Sequence, residues 1–198
     1  DGVKIVMNCE VTPELIKEEK PDSVIIATGS KTLILPIEGI DNPAIIHGSD
    51  LLDGKRPAGK KVLVVGGGMV GCETAAFLGE QEHDVTVIEF RDTVGADVIH
   101  EHRVYLMKDF EDYGIKEITG AKVCKFYEDG VEYETADGVR HESRGYDSVI
   151  LSMGFRNYNP LEEKIKDLVP ETHVIGDAIR ARRALDATKE AYEVASRL

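Results

Sequence analysis

The sequence has no two cysteines close enough to act together. Cys9, Cys72 and Cys124 are scattered, odd in number and form no CxxC. This argues against a disulfide framework and fits a reducing cytoplasm. They read as small, partly buried apolar residues, with the option left that one of them touches a ligand. Long apolar runs are also missing. Residues 24–27 and 62–65, among the longest, are far too short to cross a bilayer. Asp1-Gly2-Val3-Lys4 shows no basic region leading into an apolar core, so no signal peptide is read there. The first residue is not Met, so a piece of a longer chain is expected. Positive charge is scarce: 24 Lys plus Arg stand against 37 Asp plus Glu, a formal net charge of −13. Such a surface repels phosphate backbones, and nucleic acid is not an expected partner. The six histidines show no metal-ligand spacing; His100 and His102, at i and i+2, would not share a helix face. Neither GxSxG nor HExxH occurs.

What is present suits one large globular domain or two small ones: 198 residues, 42% hydrophobic and 31% charged. Residues 3–7 read as a short apolar strand. Thr12-Pro13-Glu14 opens a helix to about Glu19, with Thr as N-cap, Pro in the first position and an acid in the first turn. Residues 23–27 read as a buried strand. Between 31 and 60, Pro36, Gly39, Pro43, Gly48, Pro57 and Gly59 break every pattern, so an irregular connector is expected. The pattern then sharpens into a strand over 61–65, a helix over 69–81 and a strand over 85–89, one βαβ unit. A helix over about 98–113, stopped by Gly114, comes next. Strands follow over 121–127, 131–135, 139–142 and 147–151, with Asp129-Gly130 and Asp137-Gly138 as hairpin turns. The chain closes with a helix over 160–169, a strand over 173–175 and a long helix over 182–198. Two apolar strands ending in small-residue turns, Ala27-Thr28-Gly29 and Met153-Gly154, flank the βαβ unit. The central region therefore reads as an insertion between two pieces of another domain.

Gly66-Gly67-Gly68-Met69-Val70-Gly71 fits GxGxxG, a weak signal alone. Its surroundings strengthen it, because an apolar strand precedes it, a helix opens on it and an acid ends the next strand. Gly66 permits the tight turn, Gly68 lets a pyrophosphate reach the backbone, and Gly71 lets helix and strand pack closely. The unpaired N–H groups at the helix start, with their partial positive charge, let an acidic protein hold an anionic dinucleotide. Glu89 lies 23 positions after Gly66. A carboxylate there accepts hydrogen bonds from a ribose 2′-OH and repels a 2′-phosphate, which favours NAD(H) over NADP(H). Arg91 keeps NADP(H) open, since an arginine pairs with that phosphate. Glu73 is either a dipole partner on a solvated face or a contact to the nicotinamide end.

In order, Ala27-Thr28-Gly29, Val65–Glu73 with its glycine turn, Met153-Gly154 and Val174-Ile175-Gly176-Asp177 resemble the flavoproteins of the pyridine-nucleotide-disulfide oxidoreductase superfamily. The resemblance covers nearly the whole chain. It implies an α/β fold in which a Rossmann-like NAD(H)-binding domain, 33–153, is inserted into a partial flavin-binding domain, 1–32 and 154–198. It further implies that Ala27, Thr28 and Gly29 line the flavin domain, that Gly176 and Asp177 form its second flavin motif, and that Glu73 and Gly154 lie near the nicotinamide. Arg183-Ala184-Leu185-Asp186-Ala187 and Gly154-Phe155-Arg156-Asn157-Tyr158-Asn159-Pro160-Leu161 look like the Old Yellow Enzyme-like branch of dienoyl-CoA reductase, enoate reductase and trimethylamine dehydrogenase. That branch implies FAD here, and an N-terminal barrel with FMN and an iron–sulfur cluster that reduces an activated C=C bond. The departures are the lack of a second GxGxxG before Gly66 and of any cluster cysteines. The expectation is therefore a C-terminal piece, inactive alone, with no catalytic side chain and no metal site of its own. A piece of an NADH oxidase or disulfide reductase, or a non-catalytic NAD-binding module, remains open. Arg180, Arg182 and Arg183 contact a flavin phosphate or a neighbouring domain, or form a surface patch.

Overall fold

Thr12 starts the first helix as its side chain favours: the hydroxyl accepts the Leu15 N–H at 3.3 Å and Pro13 occupies the first turn. This helix, α1 (Pro13–Glu19), ends at Lys20, whose left-handed φ of 47° brings its N–H to the Ile16 carbonyl. The computed structural model describes residues 2–198. By contacts they fall into two units, one joining the stretch that ends at Thr32 to Phe155–Leu198, the other being Leu33–Gly154. The first stretch continues with β1 (Ser23–Ile26) and β2 (Ser30–Thr32). Residues 3–7 are not the expected strand: Val3, Ile5, Val6 and Met7 are exposed and pair with nothing. A strand is stable only when a neighbour takes its N–H and C=O groups, and none of the described residues does so.

The Leu33–Gly154 unit is built on β3 (Ile46–His47), α2 (Gly48–Leu52), β4 (Lys61–Val65), α3 (Met69–Glu80), β5 (Asp84–Ile88), α4 (His100–Asp112) and β6 (Lys116–Ile118). After them come β7 (Lys122–Tyr127), β8 (Gly130–Glu134), β9 (Arg140–Arg144) and β10 (Ser148–Leu151). Five of the strands form a sheet in the order β3–β10–β4–β5–β6, every pairing parallel. β4 is apolar throughout because both its faces are covered. Val62 and Val64 face Cys72, Ala75 and Leu78 of α3 and Leu106 and Phe110 of α4. Leu63 and Val65 face the other way, toward Val123, Phe126 and Val131 of the antiparallel β7–β8–β9 meander. Each fully buried Leu, Ile or Val of these strands stabilises the fold by about 1.5–3 kcal/mol.

The stretch 31–60, expected to be irregular, instead contains β2, β3 and α2. Elements of two to five residues between prolines and glycines carry no readable period. β6 escapes the sequence for the same reason; three residues, two of them charged, extend the sheet beside β5.

Back in the first unit, β11 (Phe155–Asn157) pairs antiparallel with β2, and α5 (Glu162–Ile165) follows. β12 (Glu171–Val174) runs parallel to β1, from Ser23 opposite Glu171 to Ile26 opposite Val174. A 3-10 turn (Gly176–Ala178) leads to α6 (Ala184–Ala195). Ile16, Ile26, Leu161, Ile165, Val169 and Ala178 make this unit's core. The helix expected over 160–169 shrinks to four residues, and the last helix starts only after Arg183, where Asp186 accepts the Arg183 N–H at 3.2 Å. Among the described residues, no helix is long and apolar enough to cross a membrane.

A tight joint lies between α3 and the end of β4. A Cβ added at Gly71 would lie 1.8 Å from the Gly66 carbonyl oxygen. Gly71→Ala must push α3 away from the sheet, and urea unfolding is expected to show a loss of about 1–3 kcal/mol. An unchanged midpoint would contradict the close approach.

Candidate cofactor site

From β4 the sheet extends through β5 to β6 on one side and to β10 and β3 on the other. Strand order reverses here, and in open parallel sheets ligands bind at the carboxyl edge of that point. Gly66 turns the chain there with φ 106°, and Gly68, extended at φ −73° and ψ −174°, is the N-cap of α3. Glycine brings no capping side chain. The Cys72 N–H is the first amide bonded back into the helix, to the Gly68 carbonyl at 2.9 Å. Those of Met69, Val70 and Gly71 project from the helix start with its positive dipole end.

Glu89, half-buried just past β5, is fixed against this turn. Its Oε2 accepts the N–H of buried Gly67 at 2.6 Å and its Oε1 the Arg91 N–H at 2.9 Å. A carboxylate has about four acceptor sites, so both oxygens keep capacity for another donor. The Arg91 side chain is exposed. The loop that follows also closes on the turn: Gly95 N–H bonds the Gly67 carbonyl at 2.7 Å, and Val94 is fully buried beside it. From the same loop Asp97 Oδ1 accepts the Met69 N–H at 3.0 Å. Sequence reasoning missed Asp97. The helix it caps starts 28 positions earlier, and no local pattern signals such a contact.

Glu73 is exposed on α3 and comes within 3.9 Å of His102 on α4. Cys72 is buried, and its thiol donates to the Gly67 carbonyl at 3.3 Å. At the same carboxyl edge, His47 Nδ1 and Ser152 Oγ are buried with no hydrogen-bond partner among the described residues. Gly154, with φ 94°, accepts the Leu33 N–H at 2.9 Å.

In the other unit, Thr28, Gly29, Gly176 and Asp177 share one neighbourhood. The Thr28 hydroxyl donates to the Tyr158 carbonyl at 2.5 Å, and Tyr158 N–H returns to Gly29 at 3.0 Å. Asp177 accepts the Ser30 hydroxyl at 3.1 Å and the Arg182 N–H at 3.0 Å. Glu190 takes the Arg182 guanidinium at 2.5 Å and the Gly176 N–H at 2.7 Å. These two bonds, the arginine's first, hold its carboxyl below the usual range. Arg182 is thus engaged within its own unit, and Arg183 lies 3.6 Å from Asp186. Ala27 is exposed. No group of three metal-ligating side chains occurs among the described residues.

Sheet, glycine turn and carboxylate together give Leu33–Gly154 a Rossmann-type fold. The pyridine nucleotide-disulphide oxidoreductase family matches residues 2–178, and the chain belongs to it. That family implies binding of FAD and NAD(P)H. The chain is 30% identical over 200 residues to a cinnamate reductase of Clostridium sporogenes, covering 100% of this chain and 30% of that protein. It is 32% identical over 199 residues to an NADH oxidase of Thermoanaerobacter brockii, covering 98% of this chain and 30% of that protein. Among solved structures, a 2-naphthoyl-CoA reductase in complex with 2-naphthoyl-CoA superposes with a TM-score of 0.86 at 32% identity. That match covers 97% of this chain and 29% of the other. The chain thus spans less than a third of the length of these relatives.

Burial pushes the Cys72 thiol up to about 12. It therefore stays protonated and unreactive at pH 8. Iodoacetamide at that pH is expected to modify exposed Cys9 and to reach Cys72 only after denaturation, as read by peptide mass mapping. Alkylation of Cys72 in the native protein would place it outside the packed joint.

Proposed function

We propose that this chain is the dinucleotide-handling part of an NADH-dependent, flavin-linked reductase acting on an enoate- or enoyl-CoA-like C=C bond. The observation that carries the reading is the Glu89 carboxylate bonded to the Gly67 N–H beside the open amides of α3. The residues fit NAD(H). Asp97 already puts an anionic oxygen on Met69 N–H, so the helix start accepts the kind of atom a pyrophosphate presents. Met69, Val70 and Gly71 bond the pyrophosphate, with Gly68 leaving the backbone open to it. Glu89 takes the adenosine ribose hydroxyls, and its charge opposes a 2′-phosphate, although Arg91 stands two residues away. Glu73 and Gly154 are assigned to the nicotinamide end. In the other unit, Ala27, Thr28, Gly29, Gly176 and Asp177 are assigned to FAD, with Asp177 held by Ser30 and Arg182. Bound NADH supplies a hydride to the flavin. These residues bind and orient, and none needs to act as acid or base.

The domain boundaries proposed are 33–153 for the NAD(H) domain and 1–32 with 154–198 for the flavin domain. The likeness to reductases about three times as long supports a further N-terminal part, a barrel with FMN and an iron–sulfur cluster. The cytoplasm is the proposed compartment, consistent with three free cysteines. The likeness to an NADH oxidase favours a second reading, in which dioxygen accepts the electrons. Anaerobic turnover with cinnamate against aerobic NADH consumption without it separates the two.

The test uses oxidised dinucleotides, which carry no hydride to transfer, titrated by calorimetry at one salt concentration. NAD+ is expected to bind about a hundredfold more tightly than NADP+, on the order of 2–3 kcal/mol. Glu89→Gln keeps an oxygen for Gly67 N–H but removes the charge, so the two affinities are expected to converge. A parent protein that prefers NADP+ would show that Arg91 governs the pocket and would overturn the NAD(H) assignment.

A further inference from the structure

Two carboxylates face the glycine turn, and they are held differently. Glu89 is half-buried and is fixed in place by the N–H of a buried glycine. Asp97 is exposed and pairs with no cation among the described residues. Its Oδ1 accepts the Met69 N–H at 3.0 Å. A Cβ placed on Gly68 would meet its two oxygens at 3.2 and 3.5 Å. The Asp97 carboxylate therefore lies over the glycine that leaves the backbone open and on the first amide of α3. Those are the two features that a pyrophosphate needs. The loop beneath it is anchored independently. Gly95 N–H bonds Gly67, Val94 is buried, and the Arg103 side chain donates to the Val94 carbonyl and the Thr93 hydroxyl. Rotation about Asp97 χ1 frees the amide without moving this backbone.

We propose that Asp97 is an internal competitor for the pyrophosphate position, a carboxylate that caps α3 until a dinucleotide displaces it. This rests on the reading of the glycine turn as a dinucleotide site. A carboxylate and a phosphate cannot share one N–H at close range, because both are anionic acceptors. Binding must therefore break the Asp97–Met69 bond, and Asp97 sets how tightly the dinucleotide is held. The device also explains why a helix opening on Gly68, which offers no cap of its own, is not left bare.

The experiment is calorimetric titration of ADP-ribose, which carries the adenosine and both phosphates, into the protein and its Asp97→Asn and Asp97→Ala variants, with thermal melts of all three. Asp97→Asn keeps an acceptor for Met69 N–H without the charge and is expected to bind about tenfold more tightly, a tenfold change being 1.4 kcal/mol. Asp97→Ala is expected to bind at least as tightly as Asp97→Asn while melting at a lower temperature, since the cap is lost. A purely structural aspartate would lower affinity and melting temperature together. If the parent binds and neither variant binds more tightly, the competitor role is wrong while the dinucleotide site stands. If neither the parent nor any variant binds ADP-ribose, the dinucleotide reading falls and the proposal with it.

Discussion

The Gly66 carbonyl oxygen fills the space in which any side chain at position 71 would begin, so α3 meets the end of β4 backbone against backbone. That contact directs the start of the helix at the carboxyl edge of the sheet, at the point where strand order reverses. It also buries Cys72, Ala75 and Leu78 against Val62 and Val64, tying the glycine turn to a core cluster of the unit. The turn is consequently held by packing, and its polar groups are satisfied from outside the helix. Gly67 gives its N–H to Glu89 and accepts from Gly95 and Cys72.

A chain with a formal charge of −13 has no general attraction for an anionic dinucleotide. Attraction has to be local, and in the proposed site the helix start supplies it through its N–H groups rather than through lysine or arginine. In the proposed site, acidic residues then act as filters. Glu89 offers acceptors for hydroxyls and an unfavourable charge for an additional phosphate. Asp97 holds an amide that would otherwise be bare. In the proposed site, affinity is a balance between two anions for one dipole.

The strongest elements were readable because they carry long-range burial in their own composition. Val62–Val65 is apolar on both faces, and the structure puts it at the sheet's centre. The spacing from Gly66 to Glu89 put an acid at the end of the next strand, and the structure sets Glu89 just past β5; its hydrogen bond to Gly67 was not foreseen. The failures have equally physical causes. Residues 3–7 have a strand's composition but no neighbour to pair with among the described residues. β3 and β6 owe their existence to a neighbour, β10 and β5 respectively, and not to any period of their own. Asp97 lies just ahead of α4, yet that helix has Ile99 as its N-cap and no side-chain cap, while Asp97 serves α3. Pairings made across tens of residues leave no local trace.

The account stands on the α3 start as the seat of a pyrophosphate, and amide chemical shifts read that directly. Adding NAD+ to isotope-labelled protein is expected to move the backbone amides of Met69, Val70 and Gly71 most, followed by those of Gly67 and Arg91 beside the Glu89 carboxylate. Saturating NAD+ that leaves these five amides unmoved while shifting others would contradict it.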